Sequence, residues 1–129
     1  MATSHFTLPV IILSVSMLCA AQVYASQPNV GNLFRGNTAF GTQVKWGLSI
    51  SVLFASDGQI VVVDERGKTE RGVWWVSNNG ELCTKFRIER CRKVTRHPEG
   101  FYQVHNDDND RLVDWKLAEI KRGNPYKIE

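Results

Sequence analysis

Residues 44–54 read VKWGLSISVLF. Val44, Trp46, Leu48, Ile50, Val52 and Phe54 occupy every second position, with Lys45, Gly47, Ser49 and Ser51 between them. A period of two predicts a long strand with one buried face, of a length that suits a curved sheet. Ser56-Asp57-Gly58 follows as a turn, and Gln59 to Glu65 (QIVVVDE) returns as its hairpin partner.

The same rhythm extends outward from this hairpin. Arg66-Gly67-Lys68 turns into TERGVWWV, Ser77-Asn78-Asn79-Gly80 into ELCTKFRI, and Pro98-Glu99-Gly100 into FYQVH. The polar run Asn106 to Asp110 (NDDND) precedes Arg111 to Ala118, where Val113, Trp115 and Leu117 alternate with Asp114 and Lys116. No window keeps apolar residues three and four apart, so helix is expected only near the ends, around Val30 to Arg35 or Leu117 to Lys121. The fold class is all-β, a single small antiparallel meander of seven or eight strands. A calycin- or lipocalin-like β-barrel is preferred to a sandwich, because successive short hairpins close naturally and closure removes exposed edges.

At the N-terminus, Leu8 to Ala21 is apolar apart from two serines, too short for a stable membrane span. With Val23-Tyr24-Ala25 as a cleavage signal, residues 1–25 read as a secretory signal peptide, although Met1 to Thr7 carry no Lys or Arg. The expected domains are therefore 1–25, signal peptide, and 26–129, one β-barrel-like domain. Removing 25 of the 129 residues leaves 104, room for one modest core, with the net charge still +3. That mild balance argues against a dedicated nucleic-acid binder. The localisation expected is periplasmic or secreted, where the remaining cysteines, Cys83 and Cys91, form a disulfide by default. Their spacing is neither the C-x-x-C of a redox pair nor part of a finger pattern that would recruit His97 and His105. No metal or other cofactor is called for.

By alternation, Leu82, Phe86 and Ile88 should face inward and Lys85 and Arg87 outward. Lys85, Arg87, Arg90, Arg92, Lys93 and Arg96 form a basic run relieved by Glu89. Such a run makes either a solvated hairpin exterior or a positive patch for an anionic envelope component or acidic protein. Trp46 and Trp115 fall on inward positions, whereas Trp74 and Trp75 must point to opposite faces of their strand, so Trp75 is the aromatic anchor for an outer patch. Trp46, Phe54, Phe86 and Trp115 are the candidate lining of an internal ligand cavity, since an eight-stranded barrel either fills with side chains or holds one small ligand. NDDND lacks the Gly and Glu that a calcium loop needs at its sixth and twelfth positions. No nucleophile elbow, zinc helix or phosphate loop is present in the sequence, and His97 and His105, with Glu99 or Asp107, sit in or beside turns.

Gly36-Asn37-Thr38, Asp57-Gly58, Gly72-Val73-Trp74, Leu82-Cys83, Cys91 and Arg122-Gly123-Asn124-Pro125 occur in an order that resembles a group of small secreted proteobacterial domains of unknown function. The resemblance spans most of the chain after residue 25 and implies an exported β-rich domain. It brings no catalytic residues.

The leading expectation is a non-enzymatic exported protein that binds an envelope component or protein through Lys85, Arg87, Arg90, Arg92, Lys93 and Trp75. The alternative is a carrier of a small apolar ligand inside the barrel, and a lower one a small hydrolase using His97 or His105. Nucleic acid and a stable membrane span are not expected. Mass spectrometry of the exported protein should give a chain starting at Ser26 and lighter by the hydrogens of one S–S bond. An intact N-terminus or a reduced mass would refute that address.

Overall fold

The computed structural model describes residues 27–129. The expected signal peptide, residues 1–25, with its cleavage site and Cys19, lies outside the described residues. Among those described, the chain forms one short helix, α1 (Val30–Phe34), and nine strands. These are β1 (Asn37–Gln43), β2 (Leu48–Phe54), β3 (Gln59–Asp64), β4 (Thr69–Val76), β5 (Leu82–Lys85), β6 (Glu89–Arg92), β7 (Val94–Arg96), β8 (Tyr102–His105) and β9 (Val113–Arg122).

All pairings are antiparallel, and the sheet order is β6-β5-β4-β3-β2-β1-β9-β8-β7. The two edge strands, β6 and β7, are separated in the chain by Lys93 alone. They act as two halves of one bent stave: β6 pairs with β5, β7 pairs with β8, and the Lys93 carbonyl accepts from His105 N–H at 2.9 Å. Joining the edges through one residue rolls the meander into a nearly closed barrel of eight staves, and so limits edge exposure.

The turn glycines let these hairpins be tight. Gly58 has φ 93°, a left-handed conformation open to glycine, and the Asp57 carboxylate accepts from Gln59 N–H at 3.0 Å. Gly47, at φ 62°, does the same between β1 and β2. That turn corrects the reading of 44–54 as one strand. Val44 to Gly47 is a hairpin connection, so Trp46, expected inward, is 65% exposed. Its unforeseen partner, β1, carries Asn37, Ala39, Gly41 and Gln43 on its inner face, a small and polar set without an apolar rhythm. Smallness is required at Gly41, where a Cβ would overlap the Lys116 carbonyl at the β1–β9 bulge.

The hairpin expected around Phe86, pinned by the cysteine pair, is present, with one correction. Phe86 to Ile88 is its turn, so Ile88, expected inward, is 65% exposed. Phe86 does fold inward against the core, across Gly72, where a Cβ would lie 3.0 Å from the Phe86 ring. Leu117 to Lys121 is strand rather than helix.

α1 closes one end of the barrel. Asn29 caps it, its side-chain oxygen accepting from Asn32 N–H at 3.1 Å, and Val30 and Phe34 point together into the core. The Phe34 ring stacks on Phe54 at 4.4 Å, Phe54 meets Trp74 edge-on at 5.3 Å, and Trp74 Nε1–H donates to the Ala55 carbonyl at 2.9 Å. Thr38 Oγ1 donates to the Gly123 carbonyl at 2.7 Å and Asn37 Nδ2 to that of Leu33 at 3.0 Å, fastening the helix and the C-terminal segment to this end.

Cys83 and Cys91 lie directly opposite across β5 and β6 and are disulfide-bonded on the outer face. By the loop-closure argument, replacing both with serine should lower unfolding free energy by about 2 to 3 kcal/mol in urea titrations while the far-UV spectrum stays β-rich. A change under about 0.5 kcal/mol would show that the barrel does not need this staple.

Candidate functional site

The end opposite α1 is open. It is formed by the β1–β2, β3–β4 and β5–β6 turns and the loop from β8 to β9. A cavity enters it in two lobes. One, of about 470 Å³, has Leu48, Ile50 and Val62 on its wall and Trp46 and Arg66 at its rim. The other, of about 640 Å³, has Thr84, Phe86, Arg87, Arg90 and Arg92. Gln43, Lys68, Glu70 and Trp115 border both, and Trp115 is almost wholly buried.

Strand register explains why arginines line a barrel interior. Arg90 pairs with Thr84 and Arg92 with Leu82, and both partners are buried on the inner face. Side chains directly opposite in a ladder share a face, so Arg90 and Arg92 point inward as well. A hairpin around Phe86 follows from the Cys83–Cys91 pair, but alternation alone does not say which face its second strand turns inward, so the basic run reads as an outer surface. The structure divides it. Arg87 is at the rim, Arg90 and Arg92 are inside, and Lys85, Lys93 and Arg96 are exposed elsewhere on the barrel wall. Trp75, directly opposite Cys83, is half-buried beside the disulfide, and Lys85 is directly opposite Glu89. These residues do not converge into one outer basic and aromatic patch.

The inward arginines also bridge the incomplete seam. β6 is an edge strand with no ladder toward β8, and there Arg90 Nη1–H donates to both Asp107 oxygens at 3.0 and 3.2 Å. Arg92 Nε lies 3.1 Å from Asp114 Oδ2, an ion pair whose geometry is not that of a hydrogen bond, so the buried Nε–H has no acceptor. The Arg92 side chain is only 13% exposed, and its guanidinium lies 5.6 Å from the Trp115 ring centre. Burial lowers its pKa, against the opposing pull of Asp114 and Asp107. An arginine remains charged even so. Asp114 is itself steadied by Asn106 Nδ2–H at 3.2 Å.

Asp64 has the inner-face register, opposite Ile50, yet its carboxylate is spent on the β3–β4 turn. It accepts from Arg66 N–H at 2.8 Å and Lys68 N–H at 3.1 Å, and from the Arg66 guanidinium at 2.7 and 3.1 Å. Glu70 is exposed near Lys68, 4.0 Å away.

The rim combines apolar and charged side chains of both signs. Val44, Trp46, Ile88 and Leu112 are exposed there, beside Lys45, Arg66, Lys68, Arg87 and Arg111, and Glu65, Glu89, Asp107, Asp108 and Asp110 lie on the same turns and loop. Of the four proposed lining residues, Trp46, Phe86 and Trp115 border the cavity. Phe54 does not; it is packed in the closed end between Phe34 and Trp74. The cavity was missed at Arg92, Gln43 and Glu70, whose inward placement only pairing register could reveal.

The histidines serve turns. His97 stacks on Phe101 at 4.2 Å and its Nδ1 accepts from Glu99 N–H at 3.1 Å, at the closed end. His105 holds the β8–β9 loop, its Nδ1 2.7 Å from the Asp110 carbonyl and its Nε2 2.7 Å from Thr95 Oγ1, which assigns the Nδ1–H tautomer. Neither lines the cavity. In NDDND, Asn106 Oδ1 accepts from Asp108 and Asn109 N–H at 3.0 Å, and no cluster of three potential metal ligands occurs among the described residues. Nor, among them, is any helix long and apolar enough to cross a membrane. Comparison of the chain with known protein families and with curated proteins finds no match.

The Arg66 hydrogen bond, chiefly, holds the Asp64 carboxyl below its ordinary value of 3.8. Its contribution to stability is then fully present above the ordinary aspartate range and is lost as pH falls through the lowered value. In acid titrations of stability, Asp64→Asn should flatten the fall below about pH 4. An unchanged acid limb would mean that the turn does not depend on this charge.

Proposed function

We propose that the protein is an exported, non-enzymatic binding protein that holds a small ligand in the open end of its barrel. The observation that carries this reading is the cavity, each of whose two lobes is within the range of about 300 to 1,000 Å³ usual for small-molecule sites. Apolar wall and a few convergent polar groups, the usual composition of such sites, are both present. Export is supported by the signal-like N-terminus and by the disulfide, which persists in oxidising compartments. The non-enzymatic reading is supported by the distance between the histidines' places in the fold and by the structural use of each.

This reading favours the interior over the outer strand faces. The arginines expected outside turn inward, and the cavity walls carry too many cations for a ligand that is apolar throughout. A basic and aromatic contact surface returns in a different place, at the rim. Exposed Trp46 and Ile88 beside Lys45 and Arg87 suit contact with an anionic envelope component, from which a ligand would be taken or to which it would be given.

Binding of naphthalene fluorophores to the exported protein tests the proposal. Energy transfer from tryptophan should accompany one-to-one binding, because Trp115 and Trp46 border the cavity. Gln43→Trp, which fills the space between the lobes, should abolish it. If no probe binds, or if the filled variant binds as well as the parent, the interior is not the site.

A further inference from the structure

Resting on that reading, we infer that the ligand is an amphipathic anion: one acidic head group on an apolar body. The two lobes share charged rim residues but differ in what lies deeper. On one side β2 and β3 add Leu48, Ile50 and Val62, below Arg66 and Lys68; on the other, β6 and the β5–β6 turn add Arg87, Arg90 and Arg92. Trp115 is common to both and offers an aromatic surface to a body that spans them.

The charge inside is unbalanced. Of the cavity's two carboxylates, Asp64 is committed to the β3–β4 turn and Glu70 is exposed beside Lys68. Asp107 and Asp114 pair with Arg90 and Arg92 yet border neither lobe, so they support the arginines without occupying the space in front of them. A carboxylate, sulfonate or phosphate meets the planar fork of a guanidinium with charge-assisted, paired hydrogen bonds.

Other ligand classes fit less well. A neutral apolar ligand would strip water from Arg87 and Arg90 and return no acceptor. A small inorganic anion would leave the Leu48, Ile50 and Val62 wall wet, and a cation would meet like charge. Only a molecule with both parts satisfies both walls.

The test compares two probes on the exported, oxidised protein. Anilinonaphthalene sulfonate carries the anion, whereas N-phenylnaphthylamine has nearly the same ring system without it. The sulfonate should bind at least about tenfold more tightly, and Arg92→Gln should reduce the ratio of sulfonate to neutral-probe affinity by about tenfold. Arg90→Gln, at a more exposed position, should act in the same direction and guards against misfolding of the Arg92 variant, with far-UV spectra as the check. Equal binding of both probes would overturn the anion inference while the interior site stands. Binding of neither would overturn both. Sulfonate affinity that is unchanged in both arginine variants would also refute the assigned head-group position.

Discussion

Everything in this molecule depends on the passage of the chain from one edge of its sheet to the other through Lys93. A meander of this length could have remained an open sheet with two unpaired edges. Because β6 and β7 are consecutive, pairing one half with β5 and the other with β8 curls the sheet on itself. Closure gives every strand an inside, and it turns alternate residues of a basic hairpin into the lining of a cup. Where the ladder is interrupted beside β6, Arg90–Asp107 and Arg92–Asp114 take over from backbone hydrogen bonds. The same two arginines thereby hold the seam and set the character of the interior.

The two ends of the barrel have separate duties. Gly36, Asn37, Thr38, Gly58, Trp74 and Gly123 sit at the closed end or on the strands and turns that form it. Gly36 N–H bonds the Phe54 carbonyl at 2.7 Å and Trp74 N–H that of Gly58 at 2.9 Å, while Thr38 and Asn37 tie down Gly123. Most of the residues behind the resemblance to small secreted domains therefore serve this architecture. The open end is built of other residues: turns with exposed tryptophan and isoleucine, charged side chains at the rim, and below them walls of which one adds aliphatic side chains and the other arginines. A rigid, disulfide-stapled base with a chemically distinct mouth is a suitable arrangement for holding a ligand without large motion, since the site lies largely on strands.

Much of the fold was legible because turn chemistry and period-two alternation agree along most of the chain. The Asp57-Gly58 hairpin, the alternation of β2 and β9, the inward Trp115 and the Cys83–Cys91 bridge all follow from local pattern. Two turn segments read as strand. Val44 and Trp46 continue an apolar rhythm into a turn that Gly47 makes, and Phe86 to Ile88 continues one out of β5. In both cases exposed apolar residues belong to the open rim, so the misreading marks the site. β1 was hidden for the opposite reason, because Gly41 and its inner neighbours had to be small or polar beside the β9 bulge. Arg90 and Arg92 could not be placed inward from sequence, since their face is fixed by register against Leu82 and Thr84 across a turn that alternation does not reveal.

The central claim is that this closure makes a cationic, half-apolar cup that is occupied in the cell. Native mass spectrometry of the protein gently isolated from the cells that make it tests this most directly, with an Arg92→Gln protein isolated in parallel. The account predicts a one-to-one complex with a small molecule that is detected as an anion on release and is depleted in the variant. A bare chain in both preparations, or a neutral molecule retained equally by both, would contradict it.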